Sequence, residues 1–136
     1  MPVIEGTNRV KTAVGEFDFA VDGGAIGTIT LRSGPGDTMG SELPIGSVIT
    51  GGYIEVDTPF TSGGAATVSA GSEGAADLQA AAAVSGAPWS TTGRKNIVPA
   101  GTGATSVKTT AKRNLALTIA TAALTAGKGR VVVFYK

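Results

Sequence analysis

Residues able to do chemistry are few in this chain, and their spacing decides what they could do. Carboxylates form two alternating pairs, Glu16 with Asp18 and Glu55 with Asp57. On a β-strand, residues two apart point to the same side. Two carboxylates on one face can act as the acid and base of glycoside hydrolysis or contribute oxygens to a calcium site. Alternation produces the same pairs on any solvated strand face, and no Asp-x-Asp-x-Asp-Gly loop accompanies them. Basic residues cluster as Arg94-Lys95 and Lys112-Arg113. They suit phosphate, an acidic neighbour or plain solvation. Aromatic residues make up 5% of the chain and do not interleave with these clusters, so no base-stacking platform is visible. Trp89, the single tryptophan, follows Pro88 and is either a core filler or an anchor for a partner.

Two glycine-rich stretches fail as phosphate loops. Gly101-Thr102-Gly103-Ala104-Thr105-Ser106 begins like a dinucleotide loop but has no third glycine and no following helix. Gly127-Lys128 lacks both the earlier glycine and the Ser/Thr of a P-loop.

Missing residue types exclude more. The chain has no cysteine, which removes disulfides, thiol catalysis and cysteine-bound zinc. It has no histidine, the commonest general base and metal ligand. A serine nucleophile would then need a lysine base, and nothing singles out such a pair. No catalytic residue, cofactor or metal is expected. No run of about 20 apolar residues could span a membrane, and Met1 to Val10, with Glu5 and Arg9, lacks the apolar core of a signal peptide.

The 136 residues weigh 13.4 kDa because Gly, Ala, Ser and Thr dominate, so a core must be built largely from small side chains. The net charge of +1 conceals a division. Residues 1–80 hold all ten acidic and three basic residues, a net −7, whereas residues 81–136 hold eight basic residues and no acid. Either the halves interleave and neutralise each other, or the molecule presents two oppositely charged surfaces to copies of itself or to a neighbour. Nucleic acid is not expected as a partner.

The elements that would position these residues are mostly strands. Glu16 to Val21 alternates, with Phe17, Phe19 and Val21 on one face. Asp22-Gly23-Gly24 reads as a tight turn into Ile26–Leu31, which together predict an early hairpin. Ser33–Asp37 is a loop. Val48-Ile49 and Tyr53–Asp57 read as a long or bent strand, with Gly51-Gly52 as a bulge or bend, ended by Thr58-Pro59-Phe60, with Phe60 plugging one end of the sandwich. Ser62-Gly63-Gly64 turns into a short strand over Ala66–Ala70. Ala75–Val84 is rich in helix formers, with Ser72 as cap and Gly86 and Pro88 as stops, and predicts one short helix. Ser106–Thr110 and Leu115–Thr121 read as strands, Thr125–Gly129 as a hairpin loop, and Arg130–Tyr135 as a central strand. The expected fold is all-β: a jelly-roll-like antiparallel β-sandwich of about eight strands with one short helical segment. It forms a single domain over 1–136, in which 1–9 is an extended N-terminal arm that could reach across to another subunit.

Three stretches carry a family resemblance: Leu43–Ile49 with Tyr53–Phe60, Gly63–Gly71, and the ending Leu124–Tyr135. Their texture, over residues 40–136, is similar to small virion proteins of tailed bacteriophages, and most of all to capsid decoration (cement) proteins, that of a Bordetella phage among them. The resemblance implies a jelly roll that assembles as a dimer or trimer. It would sit on the outer surface of an icosahedral shell, bridging major capsid protein subunits, after synthesis in the bacterial host cytoplasm. It brings no catalytic residues, no small-molecule substrate and no membrane. Trp89, Arg94, Lys95, Lys112 and Arg113 are the residues expected to meet neighbours. A phage tail, fibre or head–tail connector component, or a carbohydrate-binding β-sandwich module, is the alternative.

Overall fold

A computed structural model of the chain describes residues 10–33, 40–97 and 107–136. Among the described residues ten strands form, in chain order: β1 (Lys11–Asp18), β2 (Gly27–Thr30), β3 (Glu42–Leu43), β4 (Ile49–Ser62), β5 (Thr67–Gly71), β6 (Gln79–Ala83), β7 (Gly93–Asn96), β8 (Arg113–Asn114), β9 (Ala116–Ala120) and β10 (Leu124–Tyr135). A single helical turn, α1 (Phe19–Asp22), follows β1. Eight strands make two four-stranded sheets, ordered β1-β10-β4-β7 and β2-β9-β5-β6, and the two-residue strands β3 and β8 pair with each other. This is the expected all-β antiparallel sandwich, with two very short strands added.

The pairing follows one rule. β1 pairs with β10, β2 with β9, β3 with β8, β4 with β7 and β5 with β6, all antiparallel. The chain is one long hairpin whose apex lies between β5 and β6. Rolling that hairpin up adds two contacts, β10 to β4 and β5 to β9, and yields the jelly roll. The final strand is central, as its apolar run predicts, lying between β1 and β4.

Inner faces follow the alternation of each strand. Ala13, Phe17, Ile54, Val56, Val131 and Val133 from one sheet meet Val68, Ala70, Leu117 and Ile119 from the other, all buried. Phe60 stands between Phe17 and Trp89, with ring centroids 5.5 and 5.0 Å apart. The gap beside these rings holds only about 10 Å³, about one water molecule's worth.

Several elements differ from expectation. Ala75–Val84 is not helical. Residues 72–78 form a loop in which the Asp77 carboxylate accepts hydrogen bonds from the amides of Ser72, Glu73 and Gly74, at 2.9 to 3.0 Å. Gln79–Ala83 then runs as β6 along β5. Burial of Leu78 and Val84 explains the outcome. On a helix these two would sit about 120° apart, at the two margins of a buried face, whereas along an extended chain both point to the same side. Alanine's helix propensity is a few tenths of a kcal/mol per residue and yields to that packing.

β1 stops at Asp18 instead of running to Val21. The Asp18 carboxylate caps α1 by accepting from the Ala20 amide, and Gly23, at φ 76°, closes it by donating to the Phe19 carbonyl. Val21 is consequently exposed. No early hairpin forms. β1 and β2 belong to different sheets, and the chain just beyond β2 bridges β1 where Arg32 meets Glu16.

The expected hairpin loop at Thr125–Gly129 is part of β10, and β4 continues through Pro59 to Ser62. Gly127 marks close packing here: a Cβ would lie 2.8 Å from the Phe60 ring, and φ is 150°. The reversal happens earlier, at Thr121 (φ 74°), where the chain crosses between sheets. Val107–Thr110 is extended but carries only an isolated bridge, Lys108 to Val48. Gly52 has φ 151°, but the pairing with β10 runs through Gly51 and Gly52 in register, and the nearest shift falls between Gly51 and Ile49. Most of Ser33–Asp37, the N-terminal arm 1–9 and the 101–106 glycine stretch lie outside the described residues.

Candidate interaction surface

Because the chain folds as a hairpin, its acidic half lies against its basic half. On the outer face of the first sheet, one cross-strand row reads Glu16, Arg130, Glu55, Arg94, with alternating charge. Arg94 Nε donates to Glu55 Oε2 at 2.9 Å, and Arg130 Nη2 lies 3.6 Å from Glu16 Oε1. Opposite charges at directly facing strand positions stabilise pairing. The hydrogen bond to Glu55 raises the Arg94 pKa, with Coulombic attraction to Tyr53 and to Glu55 adding to it. The Arg94 guanidinium also stacks 4.6 Å above the Tyr53 ring. One row further along the same face come Val14, Val132 and Tyr53, with Phe134 edge-on to Tyr53 at 6.2 Å.

The other basic cluster behaves likewise. Arg113 Nε donates to Glu73 Oε1 at 2.7 Å, and the Thr110 amide and hydroxyl donate to the same carboxylate. The Arg113 hydrogen bond, seconded by the Thr110 amide, lowers the Glu73 pKa. Lys112 Nζ lies 3.8 Å from Glu42 Oε1, with both side chains more than half exposed. Lys95 donates to the Thr91 carbonyl. Arg94, Arg113 and Lys112 are thus engaged with acids of their own subunit, and so is Arg130. The interleaving of the halves explains the charge division.

Trp89 fills the core of its own subunit. It is 1% exposed, and its indole N–H donates to the Val68 carbonyl at 3.0 Å. Burial closes this side chain off from any neighbour, leaving Arg94, Lys95, Lys112 and Arg113 as the surface members of the expected set.

The carboxylate pairs are also divided in role. Glu16 and Glu55 belong to the ionic row, Asp18 caps α1, and Asp57 is exposed. Among the described residues, no three Asp or Glu gather as a metal site. A cleft of about 200 Å³ lies among Glu16, Asp18, Asp57, Lys128 and Arg130, with acids and bases mixed along its wall. Near it, Asp22 holds Arg32 through two hydrogen bonds of 2.8 and 3.0 Å. Burial alone would raise the Asp22 pKa, but hydrogen bonds from Arg32 and the Asp18 amide, with the Arg32 charge, outweigh it and lower it. Among the described residues no helix is long and apolar enough to cross a membrane.

Sequence reasoning missed the second sheet's character. Gly27–Thr30, Thr67–Gly71, Gln79–Ala83 and Ala116–Ala120 contain no charged residue. The signal was present as four uncharged runs, but only the strand order shows that they form one sheet.

No protein-family model matches the sequence, and no curated protein matches it. Solved structures do. The fold superposes on a chain of the cyanophage Pam1 capsid asymmetric unit with a TM-score of 0.62 and 21% identity, covering 93% of this chain and 84% of that one. A chain from the capsid of Ralstonia phage GP4 gives 0.61 at 16% identity, covering 99% and 88%. A chain from the acid-stable capsid of Helicobacter pylori bacteriophage KHP30 gives 0.58 at 17% identity, covering 93% and 86%. The rolled-up hairpin described above is therefore a fold shared, over nearly its whole length, with chains found in three phage capsids.

Proposed function

We propose that this chain is a structural virion protein that decorates the outer surface of an icosahedral phage capsid and bridges major capsid protein subunits. The observation that carries the reading is the likeness, over 93–99% of this chain, to chains of three phage capsid structures. The residues agree with a non-catalytic role. Glu55 is paired with Arg94, Glu73 with Arg113, and the tryptophan fills the core. Arg94 and Lys112, with side chains 66% and 70% exposed, can each take a second acidic partner from a neighbour. Such rim charges set register and encounter rate more than affinity.

The test is co-sedimentation of the purified protein with phage shells that lack decoration. Binding that saturates at hundreds of copies per shell supports the reading. Binding of a handful at one vertex replaces it with a tail or connector role, and no binding removes it. Lys112→Glu with Arg113→Glu is expected to weaken binding. Arg113 also holds Glu73, so Lys112→Glu alone separates a lost contact from a disturbed subunit.

A further inference from the structure

Among the described residues every arginine holds a carboxylate: Arg32 with Asp22, Arg94 with Glu55, Arg113 with Glu73 and Arg130 with Glu16. Lys112 approaches Glu42, and Lys95 donates to the Thr91 carbonyl. Lys11, Lys108, Lys128 and Lys136 are different. All four are exposed, and among the described residues none has a carboxylate partner. Three of them gather at one end of the sandwich.

The backbone sets their positions. Val48 and Lys136 exchange amide-to-carbonyl hydrogen bonds of 3.0 Å, and Val48 bridges Lys108 on its other side. Residues directly opposite in antiparallel strands point to the same face, with Cα atoms about 4.5–5.5 Å apart. Lys136 and Lys108 therefore flank Val48 on one face. Lys11 stands opposite Tyr135, next to Lys136 at the same end. Two large apolar side chains are left exposed there too. Val10, 49% exposed, precedes Lys11, and Ile45, 70% exposed, lies in the turn whose Gly46 donates to the Thr109 carbonyl. Even a terminal carboxylate on Lys136 would leave this end positive.

We propose that this end of the sandwich is a docking surface for an acidic, partly apolar protein surface, presented by the phage shell. Grouped lysines repel one another until carboxylates are supplied. A second copy of this chain is poorly suited to supply them. Its described acids are engaged with arginines, with Lys112 or with backbone amides, and Asp57 alone is left over. Nucleic acid fits less well, because three lysines make few phosphate contacts and Val10, Val48 and Ile45 gain nothing against a polar backbone. Asp or Glu beside apolar side chains on a protein surface answers both the lysines and the apolar residues. These lysines are not the basic pairs singled out in the sequence, whose arginines are already held by carboxylates of their own subunit.

This surface rests on the capsid reading, and the two can fail separately. The experiment is co-sedimentation of the full chain and its variants with empty phage shells that lack decoration, at low and high salt. Lys108→Gln and Lys136→Gln are each expected to raise the dissociation constant about fivefold and to flatten its rise with salt. Lys128→Gln, which removes the same charge from an exposed position nearer the start of β10, should change neither. Circular dichroism of all three checks that the sandwich is folded. If the unchanged chain binds and the three variants bind equally, the surface is overturned and the capsid reading stands. If the unchanged chain does not bind, both are removed. A short DNA duplex that binds the unchanged chain, and is lost in the Lys108 and Lys136 variants, would reassign this end to phosphate and also overturn the proposal.

Discussion

In the sheet of β1, β10, β4 and β7, a full cross-strand row is ionic; in the sheet of β2, β9, β5 and β6, no strand residue is charged. Their inner faces are nevertheless alike. Ile54, Val56, Val131 and Val133 on one side and Val68, Ala70, Leu117 and Ile119 on the other are all 2% exposed or less. The difference teaches that stability and surface identity reside on opposite faces of the same strands. Inner faces supply apolar burial from either sheet without distinction. Outer faces divide the work: one neutralises the chain's charge, and the other is left plain.

The largest effect should come where the sheets meet. Trp89→Ala is expected to cost about 3–5 kcal/mol, read from urea unfolding. It should loosen both sheets together, so a loss confined to one by hydrogen exchange would break the equivalence. Next come matched truncations, Ile54→Ala in the charged sheet and Leu117→Ala in the uncharged one. Each should cost about 2–5 kcal/mol, and similar values would sharpen the claim that the inner faces are interchangeable.

Outer faces should respond weakly and differently. Arg130→Met removes a half-exposed ion-pair member while keeping its stem, and should cost up to about 1 kcal/mol, shrinking in concentrated salt. Thr118→Ala, which removes a 3.2 Å contact with Thr28 on the uncharged sheet, should change stability by about 0.5 kcal/mol or less, with no salt dependence. A salt-dependent Thr118→Ala would contradict the division.

Acid should reveal the ionic contacts last. Asp22 and Glu73 have lowered pKa values in the folded chain. The unfolded chain then takes up protons first as pH falls. Stability from these groups is complete above the ordinary carboxylate range, about pH 4, and declines as pH drops through the folded values. Asp22→Asn and Glu73→Gln should each flatten that decline in acid-unfolding curves.

Legibility in the sequence followed the range of the interaction that decides each feature. Strands with one buried face, such as Glu16–Asp18 with Phe17 inward, were readable from residues two apart. So was the final apolar strand, because burial on both faces leaves no polar alternation in Arg130–Tyr135. The helical turn after Asp18 had local signals too, in Asp18 as cap and Gly23 as stop, but the Phe17, Phe19, Val21 alternation masked them. Ala75–Val84 was not readable from propensity, since its six alanines fit a helix or an edge strand and only Leu78 and Val84 report which face is buried. The candidate contacts divided similarly. That Arg94 and Lys112 are exposed could be inferred from their types, but which acids they meet could not.

Composition and alternation by themselves determined that this chain is a β-sandwich without histidine or cysteine chemistry, and that its charge is split between halves. These depend on residue type and nearest spacing. Which residues meet across the strands was decided only by the tertiary structure. Glu16 faces Arg130 and Glu42 approaches Lys112 because a hairpin closes over the whole chain, with its apex between β5 and β6. The same closure gathers four uncharged strands into one sheet and leaves β6 at its edge. Such pairings join residues far apart in sequence, and no local pattern encodes them, because their energy exists only once the two sheets have packed.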